Sequence, residues 1–119
     1  MSRKNSVTRI ENERSHFRIK IHLDATLRMK SEKFKARIID MSSGGLKMEC
    51  SHIIPVDEDV TLHFMVNHYR IAVRCKIVRS EKGEDDKYYY GAKYIFVSAP
   101  DLKAINSFLF EIQALTRWQ

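Results

Sequence analysis

The chain has 119 residues, 44% of them hydrophobic and 30% charged, with a net charge of +6 at pH 7. That is the length and composition of one soluble globular domain, large enough to bury a core without cross-links. Four Gly and two Pro exclude a low-complexity segment, no apolar run nears the roughly 20 residues of a membrane helix, and the basic stretch Met1 to Arg9 has no apolar signal-peptide core.

The positive charge is concentrated at one end. Residues 1–38 carry eleven Lys and Arg against four Asp and Glu, a net +7, while the remainder is close to neutral. Such polarity steers an anionic ligand toward the N-terminal end. The two cysteines, Cys50 and Cys75, fall on apolar strand positions and form no CxxC pair. They read as buried thiols in a reducing, cytoplasmic setting.

Residues 1–12 lack periodicity and read as a flexible basic N-terminal arm; residues 13–119 read as a single domain. Alternation begins at Phe17 and continues through Ile19, Ile21, Leu23, Ala25, Leu27 and Met29, with polar residues between them. This predicts a long half-buried strand with Arg18 on its polar face. Phe34, Ala36 and Ile38 continue the pattern in a second strand that ends near Asp40. Ser42 to Gly45 is a turn signal, and Leu46, Met48 and Cys50 form a short third strand.

The segment from His52 to Asp59, with Pro55, reads as a loop. Val60 to Val66 alternates as a fourth strand, Asn67-His68 is a tight turn, and Tyr69 to Ile77 is a fifth strand with Arg70, Arg74 and Lys76 outward. A charged hairpin loop from Glu81 to Lys87 turns around Gly83. Tyr90, Ala92, Tyr94 and Phe96 mark a sixth strand. The period then changes. Ser98-Ala-Pro-Asp101 supplies a cap, an early proline and an acid for a helix start, and Leu102, Ile105, Leu109, Ile112 and Leu115 follow at helical spacing to about residue 117. Phe108 and Trp118 widen that stripe. The expectation is mainly β: a six-stranded antiparallel barrel, its edges hidden by closure, with a C-terminal helix packed on the sheet.

Two clusters carry the chemistry. Arg14-Ser-His-Phe-Arg18 puts two guanidiniums four positions apart at a strand start, and Asp40-Met-Ser42-Ser43-Gly44-Gly45 puts a carboxylate, hydroxyls and a glycine turn at the end of the next strand. Guanidiniums fork onto phosphate and stack on flat rings, a carboxylate accepts from the donor edge of a base, and a glycine turn admits a ligand close to the backbone. Each cluster alone is commonplace. Together they describe a pocket for an anionic, guanine-like ligand.

In this order, RxxxR followed by DxSxxG, the pair resembles the motifs of the PilZ family, receptors for the bacterial second messenger cyclic di-GMP. The resemblance covers residues 12–117 and includes the strand Tyr90 to Tyr94 with Gly91. It implies a six-stranded barrel with cyclic di-GMP on its outer surface. Arg14 and Arg18 would grip phosphate and stack on or donate to guanine, Asp40 would accept from guanine nitrogens, Ser42 would add a hydrogen bond, and Gly45 would hold the turn open. Ser43, Gly44, Gly91 and Tyr90 join the candidate contacts. Glu13 stands where some relatives carry a further basic residue that favours a stacked ligand dimer, so the resemblance leaves stoichiometry open.

No cofactor other than this ligand is implied. The five histidines form neither HxH nor HxxxH, and no metal site is expected; His16 reads as a surface spacer. Tyr88-Tyr89-Tyr90 could stack on a base, but reads better as core and barrel-shielding rings. Without a GxSxG elbow, a P-loop or paired metal carboxylates, no enzyme is expected. A general nucleic-acid-binding barrel is the competing reading, carried by the basic arm and Arg70, Arg74 and Lys76. The leading reading is a stand-alone receptor that signals to an unidentified downstream protein, without membrane insertion.

Overall fold

The computed structural model of the chain describes residues 18–117. The expected arm (residues 1–12), Glu13, Arg14, His16, Phe17 and Trp118 lie outside them. Six strands and one helix follow in order: β1 (Ile19–Met29), β2 (Glu32–Met41), β3 (Gly45–Cys50), β4 (Asp59–Val66), β5 (Tyr69–Lys82), β6 (Tyr88–Val97) and α1 (Ala99–Arg117). All neighbours are antiparallel, and the order β1-β2-β3-β6-β5-β4 closes through β1 and β4 into a barrel. Fold class and element order match the sequence reading.

Alternation explains the core. Ile21, Ala25 and Leu27 of β1, Ala36 and Ile38 of β2, Leu46 and Met48 of β3, and Val60, Leu62 and Phe64 of β4 all point inward and are buried. Cys75, with Ile71, Val73 and Ile77, fills the β5 side. Both cysteines are free and buried. Burial pushes the Cys75 thiol up to about 12.

Four register shifts interrupt the ladders, and the periodicity does not predict them. One leaves the facing of β1 unchanged: Lys20 pairs with Asp40 and Leu23 with Ile38, so Ile21 and His22 lie opposite Ile39. The other three break the alternation. In β2, Ile38 pairs with Met48 and Asp40 with Lys47, leaving Ile39 over. In β5, Ile77 pairs with Ala92 and Arg79 with Gly91, leaving Val78 over. In β6, Tyr94 pairs with Cys75 and Phe96 with Arg74, leaving Ile95 over. Each bulge inverts the phase that follows it. Phe96, expected inward by strict alternation, is therefore 64% exposed, while Val97 turns back toward the core.

Turn chemistry follows φ. Asn67 and His68, at φ 50° and 67°, form the two-residue β4–β5 hairpin. The β5–β6 loop differs from expectation. β5 runs on to Lys82, and the left-handed positions are Asp85 and Asp86 rather than Gly83, which packs against the Tyr89 ring.

The helix starts as its sequence predicts. The Asp101 amide donates to Ser98 Oγ at 3.3 Å, and the Leu102 amide to the Ser98 carbonyl at 2.9 Å. The Asp101 carboxylate accepts from the Ala72 amide at 3.2 Å, just beyond the last β5–β6 pair, and Asn67 Nδ2 donates to Glu111 at 3.0 Å. These bonds hold α1 across the β4–β5 end of the barrel, where Ile105 and Leu109 are buried. The apolar stripe is narrower than its spacing suggests: Leu102 and Leu115 face outward, as does Phe110.

Candidate functional site

The bulge at Ile39 decides where Asp40 points. Counted from Phe34, Ala36 and Ile38, Asp40 falls on the inward phase. The extra residue turns it outward and sends Met41 into the core, where it is fully buried. On the outer face, Asp40 lies across from Lys20 of β1 and Lys47 of β3. Arg18, just ahead of β1, donates from Nη2 to Asp40 Oδ1 at 2.7 Å. Arg18 and Asp40 side chains are 48% and 19% exposed. The guanidinium is thus half open to a ligand and offers its remaining N–H groups, while the carboxylate is largely covered.

The turn after β2 is closed from within. The Ser42 amide donates to the Gly45 carbonyl at 2.8 Å, Ser42 Oγ donates to the same carbonyl at 3.2 Å, and the Gly44 amide donates to Ser42 Oγ at 3.2 Å. Ser42 is 4% exposed. Its hydroxyl is spent on shaping the turn, so the expected hydrogen bond to a ligand has no free proton in this state. Ser43 and Gly44 are exposed on the same turn. They are the exposed part of the turn, although the Gly44 amide and carbonyl are taken up by Ser42 Oγ and the Tyr94 amide.

Gly45 is explained by its neighbour strand. A Cβ there would lie 2.5 Å from the Ala92 carbonyl oxygen across the β3–β6 ladder. The clash a side chain would make is with the neighbouring strand's backbone, so the residue keeps the turn and β6 in place. Nothing crowds Gly44 within 4 Å.

Tyr94 belongs to the site, and sequence reasoning placed it only as a strand residue. Its hydroxyl donates to the Ser42 carbonyl at 3.0 Å, and its amide donates to the Gly44 carbonyl at 3.1 Å. One residue of β6 therefore ties down both sides of the turn. Burial pushes the Tyr94 hydroxyl pKa up, the nearby Cys75 adds to this, and the Arg18 guanidinium opposes it. It stays a neutral donor. Only the alternation of β6 hinted that Tyr94 faces this end of the barrel.

Two of the less central candidates separate. Gly91 lies on the outer face of β6, across from Lys47. Tyr90 is 1% exposed; its hydroxyl donates to the His52 carbonyl at 2.7 Å and accepts from the Ile54 amide at 2.9 Å. It pins the 51–58 loop from inside the barrel, so its ring offers no face to a ligand, contrary to its inclusion among the candidate contacts. Arg14 lies outside the described residues. Among those residues no three His, Cys, Asp or Glu side chains gather as a metal ion would require, and no helix is long and apolar enough to cross a membrane.

The arrangement can do recognition chemistry: a half-exposed forked cation, a largely covered carboxylate beside it and an exposed turn on one outward face. Solved structures share the architecture. The Bacillus subtilis inhibitor of motility MotI/DgrA superposes with a TM-score of 0.77 at 18% identity, over 89% of this chain and 54% of that one. MrkH of K. pneumonia in its apo state gives 0.73 at 17%, over 97% and 57%. The PilZ domain of YcgR from Escherichia coli, solved with c-di-GMP, gives 0.69 at 13%, over 89% and 95%. The chain thus spans little more than half the length of MotI and MrkH. A search of curated proteins finds no match. The PilZ domain model matches residues 12–111, a span holding both motifs and every strand of the barrel, and on that match the chain belongs to the PilZ family.

Proposed function

We propose that this chain is a receptor for cyclic di-GMP, bound on the outer face of the barrel, that signals to a partner protein without catalysing a reaction. The observation that carries the reading is the Arg18–Asp40 pair, held at 2.7 Å beside the exposed Ser43-Gly44 turn. A guanine presents O6 and N7 acceptors and N1 and N2 donors, and a guanidinium beside a carboxylate complements both sets. Arg14, four positions before Arg18, supplies the second guanidinium of the motif. Ser42 and Gly45 act by holding the turn. The family membership and the ligand of the YcgR domain support the same ligand here. A cytoplasmic setting fits two free, buried thiols.

Signalling requires that the ligand bind one conformation of the protein better than another, and that difference in binding energy is what shifts the balance. Residues 1–12 adjoin the motif and lie outside the described residues; their response to the ligand is the proposed switch read by a partner.

The test is a calorimetric titration of the wild type and Arg18→Ala with cyclic di-GMP. Saturable binding that the mutant loses or weakens at least tenfold is the expected result. Absence of binding by the wild type, with DNA or RNA bound in a steeply salt-dependent way instead, overturns the reading.

A further inference from the structure

The outward row that contains Asp40 does not stop at β3. The pairs Lys20↔Asp40, Asp40↔Lys47, Lys47↔Gly91 and Gly91↔Arg79 place five residues in one line across β1, β2, β3, β6 and β5. Strands lie about 4.8 Å apart, so Arg79 sits three steps, about 14 Å, along the surface from Asp40. The adjoining row, with Met41, Leu46, Ala92 and Ile77, is buried, which fixes the Asp40 row as the outer one. Arg79 reaches it only because the bulge at Val78 inverts the phase of β5.

Gly91 is the low point of this line. It lies on the outer face and is nevertheless buried, because the Arg79 side chain covers it: a Cβ at Gly91 would lie 3.1 Å from Nη2 and 3.4 Å from Cζ. The guanidinium is therefore laid back along the row toward Lys47. Lys47 in turn is half-buried, with its ammonium 5.7 Å from the centre of the Tyr89 ring. Among the described residues neither cation has a carboxylate at ion-pairing distance. Two cations on one outer row, Arg79 laid over Gly91 and Lys47 beside it, with no ion-paired carboxylate among the described residues, form a receptive surface for an anion.

We infer that Lys47 and Arg79 contact the distal phosphodiester of cyclic di-GMP, with Gly91 as the floor between them, while the Arg18–Asp40 pair holds the proximal half. This rests on the function proposed above. The ligand has two phosphodiesters, and Arg18 and Asp40 occupy only one end of the row. A planar guanidinium suits a phosphodiester through paired N–H groups, and an ammonium adds a point charge.

Calorimetric titration with cyclic di-GMP tests it, using wild type, Lys47→Ala, Arg79→Ala, Arg79→Gln and Arg74→Ala, each checked by its melting temperature without ligand. Arg79→Gln keeps a polar side chain over Gly91 without the charge, so it separates charge from packing. Arg74 lies on the same strand and is already paired with Asp59 at 3.2 Å. Affinity about tenfold weaker in Lys47→Ala and in both Arg79 variants, with Arg74→Ala within about twofold of wild type, is the expected result. Wild-type affinity in Lys47→Ala and Arg79→Gln overturns this inference and leaves the receptor reading standing. No binding by the wild type overturns both.

Discussion

Arg18 and Asp40 meet at 2.7 Å before any ligand arrives, so removing either has two separable consequences. The pair is partly solvated, and its loss should cost no more than about 1 kcal/mol of stability. Binding should suffer more. Arg18→Ala loses a charged contact of roughly 1.5–3 kcal/mol, about tenfold to a hundredfold in affinity. Asp40→Ala should weaken recognition of the base more than attraction to phosphate, so the preference for cyclic di-GMP over cyclic di-AMP should shrink. Paired titrations with the two dinucleotides read this directly, and an unchanged preference would leave Asp40 only its role beside Arg18. The glycines give the second test at this scale. Gly45→Ala drives a methyl against the Ala92 carbonyl and should cost about 1–3 kcal/mol in denaturant unfolding, whereas Gly44→Ala meets nothing and should stay within about 0.5 kcal/mol of wild type.

Among the elements, α1 is the one most dependent on its start. Ser98 caps it, and Asp101 carries it to β5. Ser98→Ala should lower stability by about 1 kcal/mol, seen as a lower melting temperature with ligand affinity unchanged. The strands show how far the sequence could be read. β1 was legible throughout, because every second residue from Ile19 to Met29 faces inward without interruption. The motif residues were legible as types at a spacing. Their reasons were not. Asp40 faces out only through a backbone insertion, Gly45 answers to a carbonyl of another strand, and Tyr94 reaches the turn from 52 residues away. Each depends on strand register, which is set by pairing between distant segments rather than by local periodicity. Phe96 and Tyr90 illustrate the same point: one is on the outside after a bulge, the other inside a run of three tyrosines whose alternation alone gave no exposure.

The whole molecule should be sensitive to alkali. The Cys75 thiol is held at about 12 against an ordinary 9.0 by burial, and the Tyr94 hydroxyl is raised as well. In both cases the folded state keeps its proton longer than the unfolded chain. Their contribution is complete below the unfolded values and is lost as pH rises through the folded ones. The unfolding free energy from denaturant titrations should be flat toward neutral pH and fall from about pH 9 upward, by about 1.4 kcal/mol per pH unit for each group titrating only in the unfolded chain. Cys75→Val should flatten that fall. An unaltered slope would assign alkaline unfolding to other groups.

Ile39 neither touches a ligand in the reading above nor fills the centre of the core, yet the surface depends on how the strand absorbs it. Against β3 it is carried as a bulge, and that bulge puts Asp40 outside and Met41 inside. Excising it would straighten this side of the strand: Asp40 would follow the inward Ile38 directly and still face out, with Met41 still inward. On the other side, Ile21 and His22 of β1 lie opposite Ile39 alone, so the gap falls there. Ile39→Val and the deletion should therefore both bind cyclic di-GMP. Loss of binding on deletion alone would show that β1, and not the facing of Asp40, is what needs the residue.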